Sequence, residues 1–136
     1  MRFLDTNVIL RAITKDDPVK SHACAELFLR VRAGAQQIET SQSVIAEAVY
    51  VLSSPRWYNL PRAQIVAKLR PIITLRGLRL PQKRIIVHAL LLYYQYARLD
   101  FEDALSVALM QHDKLTELVS YDTDFDAVPG ITREEP

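Results

Sequence analysis

Cysteine is almost missing from this chain: Cys24 stands alone in 136 residues, so no internal disulfide forms and a reducing cytoplasm is the expected compartment. With three scattered histidines beside it, a conventional zinc site is excluded as well. No apolar run approaches the roughly 20 residues needed to span a bilayer. The opening Met1-Arg2-Phe3-Leu4-Asp5 lacks the apolar stretch of a secretory signal, so we expect neither membrane nor export. Only three glycines occur, with no repeat, low-complexity tract or Gly/Ser-rich linker, and at this length a single domain over 1–136 is expected.

Acid is missing from one place in particular. Between Ala48 and Leu99 there is no Asp or Glu, while Arg56, Arg62, Lys68, Arg70, Arg76, Arg79, Lys83, Arg84 and Arg98 all fall there. The net charge of +1 hides this asymmetry, which suits an acidic pocket with a basic rim and equally suits a solvated basic helix face.

What is present alternates between two periods. Phe3-Leu4 reads as a short strand, followed by a helix in which Val8, Ile9, Ala12 and Ile13 recur, capped by Thr6 or Asn7. A second helix places Ala23, Cys24, Leu27, Phe28 and Val31 on one face and ends at Gly34. A short strand at Ile38 precedes a helix from Val44 to about Leu52, with caps among Thr40, Ser41 and Ser43. Pro61 opens another helix, and Pro71 leaves its continuation open. After a turn and strand at Gly77–Pro81, the stretch Ile85 to Tyr96 is apolar almost all round and reads as a buried helix. Asp100 caps a further helix, Leu118–Tyr121 forms a strand ending at Asp122, and a last strand is expected at Ile131-Thr132. Alternating strands and helices predict an α/β, three-layer fold with a short, mainly parallel sheet flanked by helices.

Four acids fall where such a fold gathers chemistry. Asp5 and Asp122 each follow a strand, and open α/β sheets bind ligands beyond the carboxyl ends of their strands. Glu47 is the only charge between Thr40 and Pro55, with Val44 and Val51 as helical neighbours, so it is expected to face apolar surroundings. Asp103 opens an apolar helix beside Leu99 and Val107. Carboxylates about 4 Å apart repel by ~1 kcal/mol in water and ~4 kcal/mol at an effective dielectric of about 20. A hard divalent cation, Mg²⁺ or Mn²⁺, relieves that repulsion and can activate water against a phosphoryl group. No Ser-His-Asp or Cys-His set competes for the role of nucleophile. Each acid also has a plain structural reading: Asp5 and Asp100 as caps, Asp103 at the positive end of a helix, and Asp122, Asp124 and Asp126 as turn residues.

Together, Phe3-Leu4-Asp5-Thr6-Asn7, Ser41 to Leu52 around Glu47, Leu99 to Leu105 around Asp103, and Ser120 to Phe125 around Asp122 resemble the PIN-domain nucleases, in particular the VapC-type toxins of prokaryotic toxin–antitoxin pairs. The resemblance implies a Mg²⁺- or Mn²⁺-dependent ribonuclease that cleaves RNA phosphodiester bonds. It assigns Asp5, Glu47, Asp103 and Asp122 as catalytic metal ligands, Asp124 as a further acid, and Thr6 and Asn7 as polar groups orienting the first acid. A homodimer and inhibition by a small antitoxin are implied in the same way. Arg56, Arg79, Lys83 and Arg84 are candidate RNA contacts, and Trp57 and Tyr58 are candidates to stack bases; alternatively Trp57 and the Tyr93-Tyr94-Tyr96 cluster are core or dimer contacts.

Two rival readings remain open. A non-catalytic PIN-like module would keep the acidic pocket for a partner's basic tail. An aspartyl-phosphate enzyme needs a second acid two residues after the first, where this chain has Asn7.

Overall fold

The computed structural model describes residues 1–136 as two compact units, 1–83 and 84–136. In the first unit, β1 (Arg2–Phe3), β2 (Ile38–Glu39) and β3 (Leu78–Arg79) pair in parallel in that order, Arg2 opposite Ile38 and Ile38 opposite Leu78. Parallel neighbours need long crossovers. Helices α1 (Thr6–Thr14) and α2 (Pro18–Arg32) supply the first, and α3 (Gln42–Ser53) and α4 (Arg62–Ile73) the second.

These helices form because their apolar residues return every three or four positions. Thr6, Ile9, Leu10 and Ile13 line the buried side of α1; Val44, Ile45, Ala48, Val49 and Leu52 that of α3; Ile65, Leu69, Ile72 and Ile73 that of α4. α2 stops as its sequence suggests, with Gly34 in the left-handed region (φ +78°) just after Ala33. α4 runs through Pro71 because the ring sits in the last turn, and the Thr74 hydroxyl donates to the Arg70 carbonyl at 2.8 Å. Gly77 is required for space: a Cβ there would lie 2.6 Å from the carbonyl oxygens of both Val31 and Gln36.

The second unit holds α5 (Lys83–Gln95, beginning at the boundary), α6 (Phe101–His112), and the parallel pair β4 (Glu117–Val119) and β5 (Thr132–Glu134), with a short 3₁₀ turn over Thr123–Ala127 between those strands. All strand pairings are parallel, as expected, but the sheet is divided between the units. α5 departs from expectation. Ile85, Ile86, Ala89, Leu90, Leu92 and Tyr93 are buried, yet Leu91 and Tyr94 face solvent, so the helix is two-sided. Tyr93 meets Phe101 edge-on at 6.3 Å between ring centroids, and His88 shares a 2.6 Å hydrogen bond with Gln111, joining α5 to α6. No helix is long and apolar enough to cross a membrane.

Candidate active site

The first unit presents Asp5 and Glu47 through a small hydrogen-bonded frame. Leu4 donates its backbone N–H to Glu39 at 2.7 Å, and the buried Thr40 hydroxyl donates to the Leu4 carbonyl at 2.9 Å, fixing the end of β1 beside β2. The next residue, Asp5, takes the N-cap position of α1, one of its two sequence readings, while Thr6 and Asn7, the other cap candidates, fall inside the helix. Its carboxylate makes no capping bond and is exposed, which sets it apart from an ordinary Asp cap.

Glu47 lies in the second turn of α3, whose start is fixed by Ser41: the Ser41 hydroxyl accepts from the Val44 N–H at 3.3 Å. Glu47 is exposed, contrary to the apolar surroundings expected from its neighbours, although Val44 is buried and Val51 half-buried. One oxygen is held from below. Thr6, 4 % exposed, donates its hydroxyl to Glu47 Oε2 at 2.8 Å. Thr6 therefore orients the second acid of the set, while Asn7 is exposed on α1.

The second unit concentrates four acids. Asp100 and Asp103 form a capping box on α6: Asp100 Oδ1 accepts the Asp103 N–H at 2.7 Å, and Asp103 Oδ2 accepts the Asp100 N–H at 3.3 Å. Asp103 is half-buried, and its pKa is pushed up to about 6, first by loss of hydration and then by the negative charge of Asp100, with Asp122 adding to it. Asp122 caps the 3₁₀ turn by accepting the Asp124 N–H at 2.8 Å, and Asp124 binds the Arg98 guanidinium at 3.1 Å. Asp126 belongs to a different cluster. It pairs with Arg133 at 2.9 Å, and that guanidinium also donates to the Ser120 carbonyl and holds the Asp126 pKa below the usual range.

In neither unit do three acid, histidine or cysteine side chains stand together as a ready cation cage. Negative charge nevertheless accumulates at Asp103, from Asp100 and Asp122, and a carboxylate donor set is the chemistry that hard divalent cations take. The sequence offers Thr40 only as a helix cap and Arg98 only as part of the basic stretch; the structure has Thr40 pinning Leu4 and Arg98 partnering Asp124. Arg98 sits two positions before Asp100 at the end of the acid-free stretch, a signal available in the sequence.

The candidate RNA contacts separate into two kinds. Arg79 and Arg84 are exposed, and Arg56 lies over the Trp57 ring at 5.8 Å. The Lys83 ammonium is turned inward, donating to the carbonyls of Leu75 at 3.1 Å and Leu78 at 2.5 Å, and burial holds its pKa below the ordinary lysine range. A groove of about 790 Å³ among α1, α2 and α4 contains none of the acids; Phe28, Leu29 and Ile72 line it together with Lys15, Arg32, Lys68 and Arg76.

Along nearly their whole lengths, two relatives are 29 % identical to this chain over 135 residues, covering 98 % of each: a VapC ribonuclease of Mycobacterium bovis and ribonuclease VapC13 of Mycobacterium tuberculosis. Among solved structures, the sarcin–ricin-loop-cleaving toxin VapC20 of M. tuberculosis is 18 % identical with a TM-score of 0.39, each chain being covered completely. The VapBC2 complex of Rickettsia felis, bound to promoter DNA, is 20 % identical with a TM-score of 0.35, at 98 % and 97 % coverage. The sequence profile of the PIN domain matches residues 2–131, and with that span covered the chain belongs to the PIN domain family.

Proposed function

We propose that this PIN-domain protein is a Mg²⁺- or Mn²⁺-dependent ribonuclease, the toxin of a toxin–antitoxin pair, in which Asp5, Glu47, Asp103 and Asp122 are catalytic metal ligands and Asp124 a further ligand. The observation that carries the reading is the family match over residues 2–131, joined to relatives named as VapC ribonucleases along the whole chain. The uncapped carboxylate of Asp5 and the like-charge crowding at Asp103 support the same assignment. The profile runs across both units, which supports one PIN domain.

Each residue has a distinct task in this proposal. Thr6 holds one Glu47 oxygen and leaves the other available. The capping box fixes the Asp103 carboxylate while its raised pKa makes its proton easy to exchange near neutral pH. Arg98 restrains Asp124 and offers a guanidinium beside the acids for a phosphate oxygen. Bound cations would neutralise the developing phosphoryl charge and lower the pKa of the attacking water.

The partner of such a toxin is a small antitoxin, and the groove among α1, α2 and α4, apolar with four cations, offers a seat for an acidic amphipathic helix. A homodimer working in the cytoplasm completes the proposal. The test is RNA cleavage by purified wild type, Asp5→Asn and Asp103→Asn with Mg²⁺ and with chelator. Metal-dependent cleavage by the wild type, lost in both folded variants, is the expected result. Undiminished cleavage by a folded Asp5→Asn preparation would refute it. Cation-independent RNA or peptide binding without cleavage would favour the binding module.

A further inference from the structure

We propose that Tyr50 and Trp57, with the Arg56 guanidinium, form a base-stacking subsite for single-stranded RNA beginning one helical turn from Glu47. The inference deepens the ribonuclease reading and rests on it. Tyr50 follows Glu47 by three residues on α3, about 4.5 Å along the axis, so the two share a face. Both are exposed, Tyr50 by 70 %, while Val44, Ile45, Ala48, Val49 and Leu52 occupy the buried side.

Beyond the helix the chain doubles back in a tight turn. The N–H groups of Trp57 and Asn59 donate to the Ser54 carbonyl at 3.0 and 2.9 Å, and that of Leu60 to Leu52 at 2.8 Å. The Tyr58 hydroxyl bonds the Asp16 carboxylate, which ties the turn to the loop between α1 and α2. The backbone of the turn is anchored at these points, and the Trp57 ring projects from it 62 % exposed, with Arg56 over it at 5.8 Å from the centroid.

An indole serving the core would be buried; this one offers a face to a ligand. The chemistry favours a nucleic acid over an acidic protein surface because an exposed indole face takes any base, and the adjoining guanidinium takes a phosphate. The chain from Ala48 to Leu99 carries no acid, so the carboxylates a polyanion meets here are those of Asp16, bonded to Tyr58, and Glu47, one turn back on α3.

Trp57 is the only tryptophan, so its emission reports on this site alone. The full chain in chelator is titrated with short oligoadenylate, as a single strand and as a duplex with oligouridylate. Saturable quenching by the single strand, with little response to the duplex, is expected. Tyr50→Ala should weaken binding roughly ten-fold, the size of one base–aromatic stack. In anisotropy with labelled oligoadenylate, Trp57→Ala should lose about as much and Trp57→Phe should retain most of the affinity. With Mg²⁺ present, the alanine variants should raise KM and leave kcat near wild type.

Emission indifferent to the single strand, in a chain that still cuts RNA with unchanged KM in both alanine variants, would overturn the subsite and leave the ribonuclease reading standing. Quenching without any cleavage would support the subsite and refute the ribonuclease. Emission that follows protein concentration and ignores RNA would overturn the subsite in favour of an interface between copies of the chain.

Discussion

Replacing Thr6 with valine removes one hydroxyl from a position only 4 % exposed and keeps its shape. The lost interaction is the 2.8 Å bond to Glu47 Oε2, a neutral donor on a charged acceptor. Hydrogen bonds to charged groups contribute roughly 1.5–3 kcal/mol. Glu47 is exposed, so water replaces the hydroxyl at its oxygen and the net loss should be about 1 kcal/mol. For a chain of 136 residues this corresponds to a melting temperature lower by about 3–4 °C. The functional effect should be larger than the structural one. Groups that orient a metal-ligating carboxylate typically change cation affinity by about 10–100-fold when removed. The assay is calorimetric Mn²⁺ titration beside thermal melting, with Thr6→Ser as the control that keeps the hydroxyl. Thr6→Ser should bind Mn²⁺ like wild type although it loses a buried methyl. Equal Mn²⁺ affinity in wild type and Thr6→Val would refute the argument that this bond positions Glu47 for a cation.

Further outcomes follow from other particular groups. The folded-state pKa of Asp103 lies above its ordinary value of 3.8, so its contribution to stability is fully present below about pH 4 and is lost as pH rises through about 6. In chelator, Asp103→Asn should therefore flatten the fall in melting temperature between those pH values, by on the order of 1 kcal/mol after allowance for solvent screening; an unchanged pH profile would count against the raised pKa. Cation binding should strengthen over the same interval as the proton leaves, measured by Mn²⁺ titration at several pH values. Gly77→Ala drives a methyl into two carbonyl oxygens at 2.6 Å and should lower stability by about 2 kcal/mol, roughly 7 °C in melting temperature. Ser41→Ala removes the cap of α3 and should cost about 1 kcal/mol by the same measurement.

Much of the fold was legible because local signals agreed with one another. Gly34 after the last periodic residue of α2, Ser41 before α3 and Asp100 before α6 each mark an end at which backbone groups need a partner, and each does so in the structure. Sidedness was harder to read. The run through α5 looked buried because its residues are apolar, but apolarity does not say how much neighbouring surface is available to cover Leu91 and Tyr94. Glu47 was misjudged for a related reason: the neighbours at i−3 and i+4 flank a helical residue without enclosing it. The acids themselves stood out through position and type. Their partners did not, since the Thr6–Glu47 and Thr40–Leu4 bonds join residues 41 and 36 positions apart and depend on the register of β1 and β2. Lys83 shows the opposite error, a cation whose sequence context suggested a surface contact while its ammonium satisfies two backbone carbonyls.

The proposal depends on Asp5 and Asp103 each being needed for cation binding. Calorimetric Mn²⁺ titration of wild type, Asp5→Asn, Asp103→Asn and the double variant tests this directly. The proposal predicts that each single change weakens Mn²⁺ binding in a chain that stays folded, and the double variant shows whether the two losses add. Mn²⁺ binding in Asp5→Asn that matches wild type, with the loss confined to Asp103→Asn, would contradict it.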